Sequence, residues 1–263
     1  MLQIHDVTKA FFPHTANEKI ALRGITLDLA DGDFVTVIGS NGAGKSTLLN
    51  VIAGAYRPDE GTIGIDGRNV TKMPDYIVAR DVGRVFQDPM AGTAAHMTVE
   101  ENLSIALSRG HFRGLARGVS TARRKRFREV LAVLQQGLED RLHTKVGLLS
   151  GGQRQALSLV MATASNPRVL LLDEHTAALD PQRAELITRL TGELVAAHHL
   201  TTLMVTHNME QALRLGNRLI MMHEGNIVLE LSGDEKRKAT VADLLERFDH
   251  IKGAQLSDRN LLA

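Results

Sequence analysis

Apolar and polar residues alternate along Leu2–Val7 and again along Ile25–Leu29, the period of a half-buried strand. Between them, residues 13–19 form a polar stretch that reads as a loop. After the turn residues Asp31-Gly32-Asp33, a third segment from Phe34 to Ile38 is apolar and rich in β-branched residues, and it stops at Gly39. Apolar positions then recur at helical spacing from Lys45 to about Ala53, ending at Gly54. Turn chemistry at Arg57–Gly61, a short strand at Thr62–Asp66 closed by Gly67, and a strand at Val82–Gln87 stopped by Asp88-Pro89 complete a β-rich first third.

The period then changes. Thr98-Val99-Glu100-Glu101 is a capping box opening a helix to about Leu107, and a second helix is predicted to reach about Leu138. A third, from Ser150, carries Ala156, Leu157, Val160, Met161 and Ala164 on one face before Asn166-Pro167 ends it. Val169–Leu172 is a continuous apolar run, as expected of a strand covered on both faces. Asp180-Pro181 supplies an N-cap and a proline at the first helical position, opening a helix to about His198. A strand at Thr201–Thr206, a helix at Asn208–Leu215, a hairpin from Leu219 to Leu231 turning at Glu224-Gly225-Asn226, a short helix near residues 241–248 and a polar tail follow.

The junction after the third strand reads Gly39-Ser40-Asn41-Gly42-Ala43-Gly44-Lys45-Ser46-Thr47. This is the spacing of a phosphate loop, in the strand–loop–helix setting that such a loop requires. Gly39, Gly42 and Gly44 let backbone N–H groups approach an anion. Lys45 adds a full positive charge, the helix N-terminus a partial one, and the Ser46 hydroxyl suits a Mg²⁺ held between phosphates. A nucleoside triphosphate site follows. With it, the element order predicts an α/β fold: a P-loop NTPase core with a mainly parallel sheet, an N-terminal antiparallel β-subdomain and an inserted helical subdomain. A single domain is expected over 1–263, with 1–88 and 167–232 as core, 89–166 as the helical insertion and 233–263 as a short C-terminal helix and tail.

Composition narrows the class. The 263 residues carry 31 Lys and Arg against 30 Asp and Glu, so no global field favours nucleic acid or a membrane surface. With no cysteine, disulfides, Fe–S clusters and thiolate metal sites are excluded. No apolar run approaches a membrane span, and Met1–Asp6 has neither a basic region nor a signal core; a soluble cytoplasmic protein is expected.

Two further segments carry chemistry. Asp173 and Glu174 end the most apolar strand, where ligands of open α/β sheets sit; Asp173 suits a Mg²⁺ shell and Glu174 a polarised water, whereas an isolated Asp-Glu would be an ordinary solvated turn. Ser150-Gly151-Gly152-Gln153 opens a helix with free N–H groups, a hydroxyl and a dipole. Two glycines there cost roughly 1 kcal/mol each relative to alanine, which favours close approach to an anion over a plain N-cap. Because the phosphate loop already wraps one side of a nucleotide, this second anion site best serves a nucleotide bound to another subunit.

In order, Gly39–Thr47, Gln87, Leu149–Gln153, Leu170–Glu174, Asp180 and His207 resemble the ATP-binding subunit of ABC transporters, over about residues 2–231. The resemblance implies a head-to-tail homodimer with two ATP at its interface. Lys45 and the loop amides would hold the β- and γ-phosphates, Ser46 and Asp173 would hold Mg²⁺, and Gln87 would sense it. Glu174 would be the catalytic base, and His207 would touch the γ-phosphate and order water. Ser150 and Gly152, with Gly151 and Gln153, would reach the partner subunit's ATP. Asp180 would lie at the dimer seam, cap its helix, or both. An aromatic, Phe11 or alternatively Phe12, would stack on adenine.

The resemblance further implies an integral membrane permease, an extracytoplasmic solute-binding protein, a location at the cytoplasmic face of the membrane, and no nucleic acid partner. Phe86–Ala95, Asp173–Asp180 and Met204–Met209 are similar to bacterial importers of the tryptophan/tyrosine-uptake type, pointing to an amino acid or similar small solute. Soluble ABC ATPases acting on DNA or ribosomes, exporter subunits and regulatory proteins without turnover are the alternatives. Where the family usually has proline after the Asp-Glu pair, this chain has His175. Either it occupies a tolerant loop position, or its imidazole makes hydrolysis pH-sensitive between pH 6 and 8. From Asn102 to Arg128 there is no acid but there are eight basic residues (Arg109, Arg113, Arg117, Arg123, Arg124, Lys125, Arg126 and Arg128), read either as a solvated face or as a contact for anionic lipid or an acidic permease patch.

Overall fold

The alternating N-terminal segments pair into an antiparallel sheet. In the computed structural model, which describes residues 1–110 and 118–250, β1 (Leu2–Phe11), β2 (Lys19–Leu29), β4 (Glu60–Ile65) and β5 (Arg68–Asn69) lie in the order β2-β1-β4-β5. The β1 strand runs beyond Val7 to Phe11, because bulges after Ile4, with Asp6 at φ 52°, break the alternation without ending the pairing.

The second sheet has the order β10-β9-β3-β8-β7-β6. It comprises β3 (Phe34–Gly39), β6 (Val82–Val85), β7 (Val169–Asp173), β8 (Thr201–Val205), β9 (Arg218–His223) and β10 (Asn226–Ser232). All neighbours are parallel except β10 on β9. The uninterrupted apolar runs are explained by burial on both faces. Val169 and Leu171 enter the core shared with β1, β2 and β4, whereas Leu170 and Leu172 enter the core shared with the helical segment. The α/β expectation, with its antiparallel sheet and mainly parallel sheet, is met.

Helices are α1 (Lys45–Ile52), α2 (Asp75–Val78), α3 (Val99–Leu107), α4 (Thr121–Ala132), α5 (Gly151–Thr163), α6 (Pro181–His198), α7 (Met209–Arg214) and α8 (Gly233–Lys238); residues 241–250 are also helical. The expected extension of α4 to Leu138 does not form. Gln135 and Gly137 take φ of 52° and 67°, which a right-handed helix excludes, yet Leu134 and Leu138 are fully buried, so apolar spacing imitated a helix there. Strand β5 and helices α2 and α8 are too short to express a period in the sequence. Among the described residues, no helix is long and apolar enough to cross a membrane.

Candidate active site

The sheet order places β3, β8 and β7 side by side, so the loops after their C-terminal ends converge. These carry the phosphate loop, Thr206–His207 and Asp173–Glu174 respectively. Within the first loop, glycine is required at two points by close approach. Gly39 and Gly44 take φ of 149° and 101°, and a Cβ on them would collide with the carbonyl oxygens of Met222 and Ala21. The turn thus formed folds Lys45 back over the loop, where Nζ donates to the carbonyls of Gly39 (2.7 Å) and Ser40 (3.0 Å). Burial holds the Lys45 ammonium below its usual pKa, opposed by the charges of Glu174 and Asp173.

Asp173 accepts from the Ser46 hydroxyl at 3.3 Å through Oδ1, and from Arg84 Nη2 at 3.4 Å through Oδ2. Burial pushes its pKa up, while the charge of Arg84 and the two hydrogen bonds pull it down. The set fits Mg²⁺: two hard oxygens converge, and a carboxylate short of solvation gains from a cation beside it. Among the described residues no three metal-ligating His, Asp or Glu side chains cluster. Glu174 stands in a left-handed conformation (φ 44°), its N–H bonded to the Val205 carbonyl at 3.0 Å. That turn carries its Oε2 to 3.4 Å from His207 Nδ1.

A cavity of about 480 Å³ covers this floor, lined by Asn41 through Thr47, Gln87, Glu174, Phe11, Lys19 and Ala21. Of the two candidate aromatics, Phe11 borders it and packs edge-on against Tyr56, with centroids 5.4 Å apart; Phe12 is 68% exposed and does not. Phe11→Ala is therefore expected to weaken ADP binding roughly tenfold, the scale of one base–aromatic stack, in a calorimetric titration; Phe12→Ala should leave it unchanged.

A second cleft, of about 460 Å³, opens beside the first, with Glu174, Leu179, Pro181, Thr206, His207 and Gln211 in its wall. Asp180 caps α6, accepting from the Arg183 N–H at 3.1 Å and pairing with its side chain. Ser150, Gly151, Gly152 and Gln153 border neither cavity. Ser150 and Gln153 form a reciprocal capping box at the start of α5. Gln153 also reaches the Gln136 carbonyl at 3.2 Å and Arg141 at 3.3 Å. Helix α5 meets the loop after β6 through Gln155, whose Nε2 donates to the Phe86 carbonyl next to Gln87.

The pH-sensing alternative for His175 is overturned. Its ring is 2% exposed and lies 3.0 Å from the Thr191 hydroxyl, and burial lowers its pKa to about 4, so it stays neutral from pH 6 to 8. The consequence falls on stability instead. Between pH 6.5 and about 4 the unfolded chain binds a proton that the folded chain refuses, so stability drops as pH falls through that window, by up to about 3 kcal/mol. His175→Gln, which keeps a donor toward Thr191, is expected to remove this part of the acid loss in denaturant titrations at pH 7 and pH 4.5.

In the basic stretch, Arg113 and Arg117 lie outside the described residues. Arg124 forms a two-pronged pair with Glu100 (2.7 and 3.1 Å), and Arg123 donates to the Gly118 carbonyl. Lys125, Arg126 and Arg128 face solvent. Three further residues at the site, Lys19, Gln211 and Arg84, lie outside the sequence motifs. Lys19 follows a loop with no motif, and Gln211 sits in a short helix. Arg84 left a usable signal, a charge inside the apolar strand β6.

A family model described as ABC transporter matches residues 22–177. The chain is 44% identical over 250 residues to a tyrosine transport ATP-binding protein of Clostridioides difficile, spanning 95% of this chain and 99% of that protein. It is 39% identical to a sulfate/thiosulfate import ATP-binding protein of Xanthomonas campestris and 34% identical to a methionine import ATP-binding protein of Brucella abortus. These matches cover 86% and 88% of this chain but only 62% and 59% of those relatives. Among solved structures, the ATP-binding cassette MJ0796, in a dimeric post-hydrolysis state bound to ADP and Pi, matches with a TM-score of 0.76 and 31% identity over 88% of this chain and 98% of that one. The ADP conformation of MJ1267, a cassette of an ABC transporter, matches with a TM-score of 0.77 and 28% identity over 94% and 98%.

Proposed function

The chain belongs to the ABC transporter family and is an ATP-binding subunit of the import kind, and we propose that two copies close head to tail on two ATP to drive uptake of an aromatic amino acid. The observation that carries the nucleotide chemistry is the single cavity shared by the phosphate loop, Gln87, Glu174 and the Phe11 ring. The solute class is supported by the near full-length similarity to a tyrosine transport subunit. We place the work at the cytoplasmic face of the membrane, on a separate permease supplied by a solute-binding protein.

In this reading Phe11 seats the adenine, and Lys45 with the amides of Gly39–Thr47 holds the β- and γ-phosphates. Ser46 and Asp173 would hold Mg²⁺ and Gln87 would sense it; the ion would neutralise phosphate charge. Glu174 takes the proton of the attacking water. His207, at 3.4 Å from Glu174, keeps that carboxylate and the water in line with the γ-phosphate. Ser150, Gly151 and Gly152, with Gln153 bracing them, enclose the ATP of the opposite copy, and Asp180 lies at the seam. Catalysis is then positioning plus electrostatics. The test is co-purification with a membrane permease and a solute-binding protein, followed by ATPase assays with single amino acids. Stimulation by tyrosine or tryptophan is expected, and stimulation by none of the amino acids would sink the assigned solute class.

A further inference from the structure

Beside Glu174 and His207 lies a buried amide that the mechanism above does not use. Gln211, on α7, is 7% exposed. Its Oε1 accepts from the Thr206 hydroxyl at 2.7 Å, and its Nε2 donates to the Thr188 hydroxyl at 2.7 Å and reaches the Thr176 hydroxyl at 3.5 Å. Each partner belongs to a different segment. Thr206 ends β8 immediately before His207, and its hydroxyl also accepts the Asn208 N–H at 3.1 Å. Thr176 lies in the loop just beyond Glu174. Thr188 is on α6, the helix that Asp180 caps, and passes its own proton to the Ala184 carbonyl at 2.7 Å.

A buried amide is costly unless hydrogen-bonded, and a leucine would fill similar space without that cost. Here the bonds form a directed chain in which the Thr206 and Thr188 hydroxyls each both donate and accept, while Thr176 accepts from the same amide. They tie together the three segments whose relative placement decides whether His207 meets Glu174. We propose that Gln211 is a positioning residue for hydrolysis. It locks the end of β8 and the first half of α6 to the loop after β7, and so holds His207 Nδ1 at its 3.4 Å from Glu174 Oε2. Nucleotide binding does not need this lock, because the phosphate loop and Phe11 are on other elements.

The inference rests on the reading that Glu174 and His207 act on water, and its test is separable from that reading. With the full chain, Gln211→Leu should lower kcat for ATP by about 10- to 100-fold, the scale of an ångström-sized misplacement. KM for ATP and the ADP dissociation constant should stay within about twofold of wild type. Gln211→Glu, of equal length, should recover part of the lost kcat as pH is lowered, because the protonated acid keeps an acceptor for Thr206 and a donor for Thr188. Thr188→Val removes one acceptor with little change of shape, and should lower kcat alone in the same direction. Wild-type kcat in Gln211→Leu overturns the proposal, as does a fall of kcat and ADP affinity together, which would mark a general loss of structure. If Gln211→Leu does not fold, Thr188→Val decides: reduced kcat with unchanged ADP affinity supports the role, and unchanged kcat overturns it. A chain in which Glu174→Gln retains turnover would instead sink the reading of Glu174 itself.

Discussion

Replacing Glu174 by glutamine is expected to lower ATP turnover by roughly 100- to 1,000-fold while nucleotide binding survives, the loss typical of removing a general base. The amide keeps the length and hydrogen-bonding reach of the carboxylate but cannot take a proton from water. It also suits the left-handed backbone at φ 44° no worse than glutamate does, so the loop should hold. The electrostatics even favour retention of the ligand. The charge of Glu174 raises the pKa of Asp173 and supports the Lys45 ammonium against burial. Removing it eases ionisation of Asp173 and takes a like charge away from the incoming phosphates, at the cost of some of that support for Lys45. Phosphate release and ATP-dependent dimerisation by light scattering would be measured together. Lost release with a persistent dimer is the expected pair, and retained release removes Glu174 from the role of base.

The parts of this site that could be read from the sequence are those in which several constraints coincide in a few consecutive residues. Gly39 to Thr47 combines backbone geometry, charge and a strand-to-helix junction, and Asp173-Glu174 ends a run of apolar residues that only a doubly covered strand explains. Asp180-Pro181 predicts a helix start, and the Asp180 side chain caps it. What stayed hidden depends on long-range packing. Arg84 meets Asp173 across 89 positions of chain, and Gln211 joins β8 to α6 through side chains that no local period singles out. His175 misled because the sequence offers a titratable ring in a loop, whereas the fold encloses it against Thr191, and burial settles its protonation. The length of α4 misled for the opposite reason. Leu134 and Leu138 are buried as helical spacing requires, but they reach the core from a loop turned by Gln135 and Gly137.

The second large effect is expected from Gly152→Asp, which should abolish turnover to about one hundredth or less while leaving ADP affinity near wild type. Gly152 borders neither cavity next to the phosphate loop of its own chain, so direct contact with ATP held there needs a second copy to bring it in. The substitution is mild for the fold. A new Cβ would stand 3.0 Å from Arg183 Cδ, part of a flexible stem that can shift, and an acidic residue in the first turn of α5 agrees with the helix dipole. For a γ-phosphate arriving from the other copy it is severe, because it replaces an open backbone surface with a like charge. Lys45→Ala should be equally inactive for the complementary reason, losing the cation of the phosphate loop. Mixed in equal amounts, the two inactive chains would form heterodimers with one intact site, joining Lys45 of one copy to Gly152 of the other, and one site in which both are lost. Random pairing makes half the dimers mixed, so turnover should return to about a quarter of wild type if each site works independently, and mixed dimers should be captured with ATP through a tag on one chain. Undiminished turnover in Gly152→Asp alone would show that each chain completes its own site, and the head-to-tail arrangement would then fall. Recovery on mixing would make the phosphate loop one half of a site whose other half lies on a different molecule.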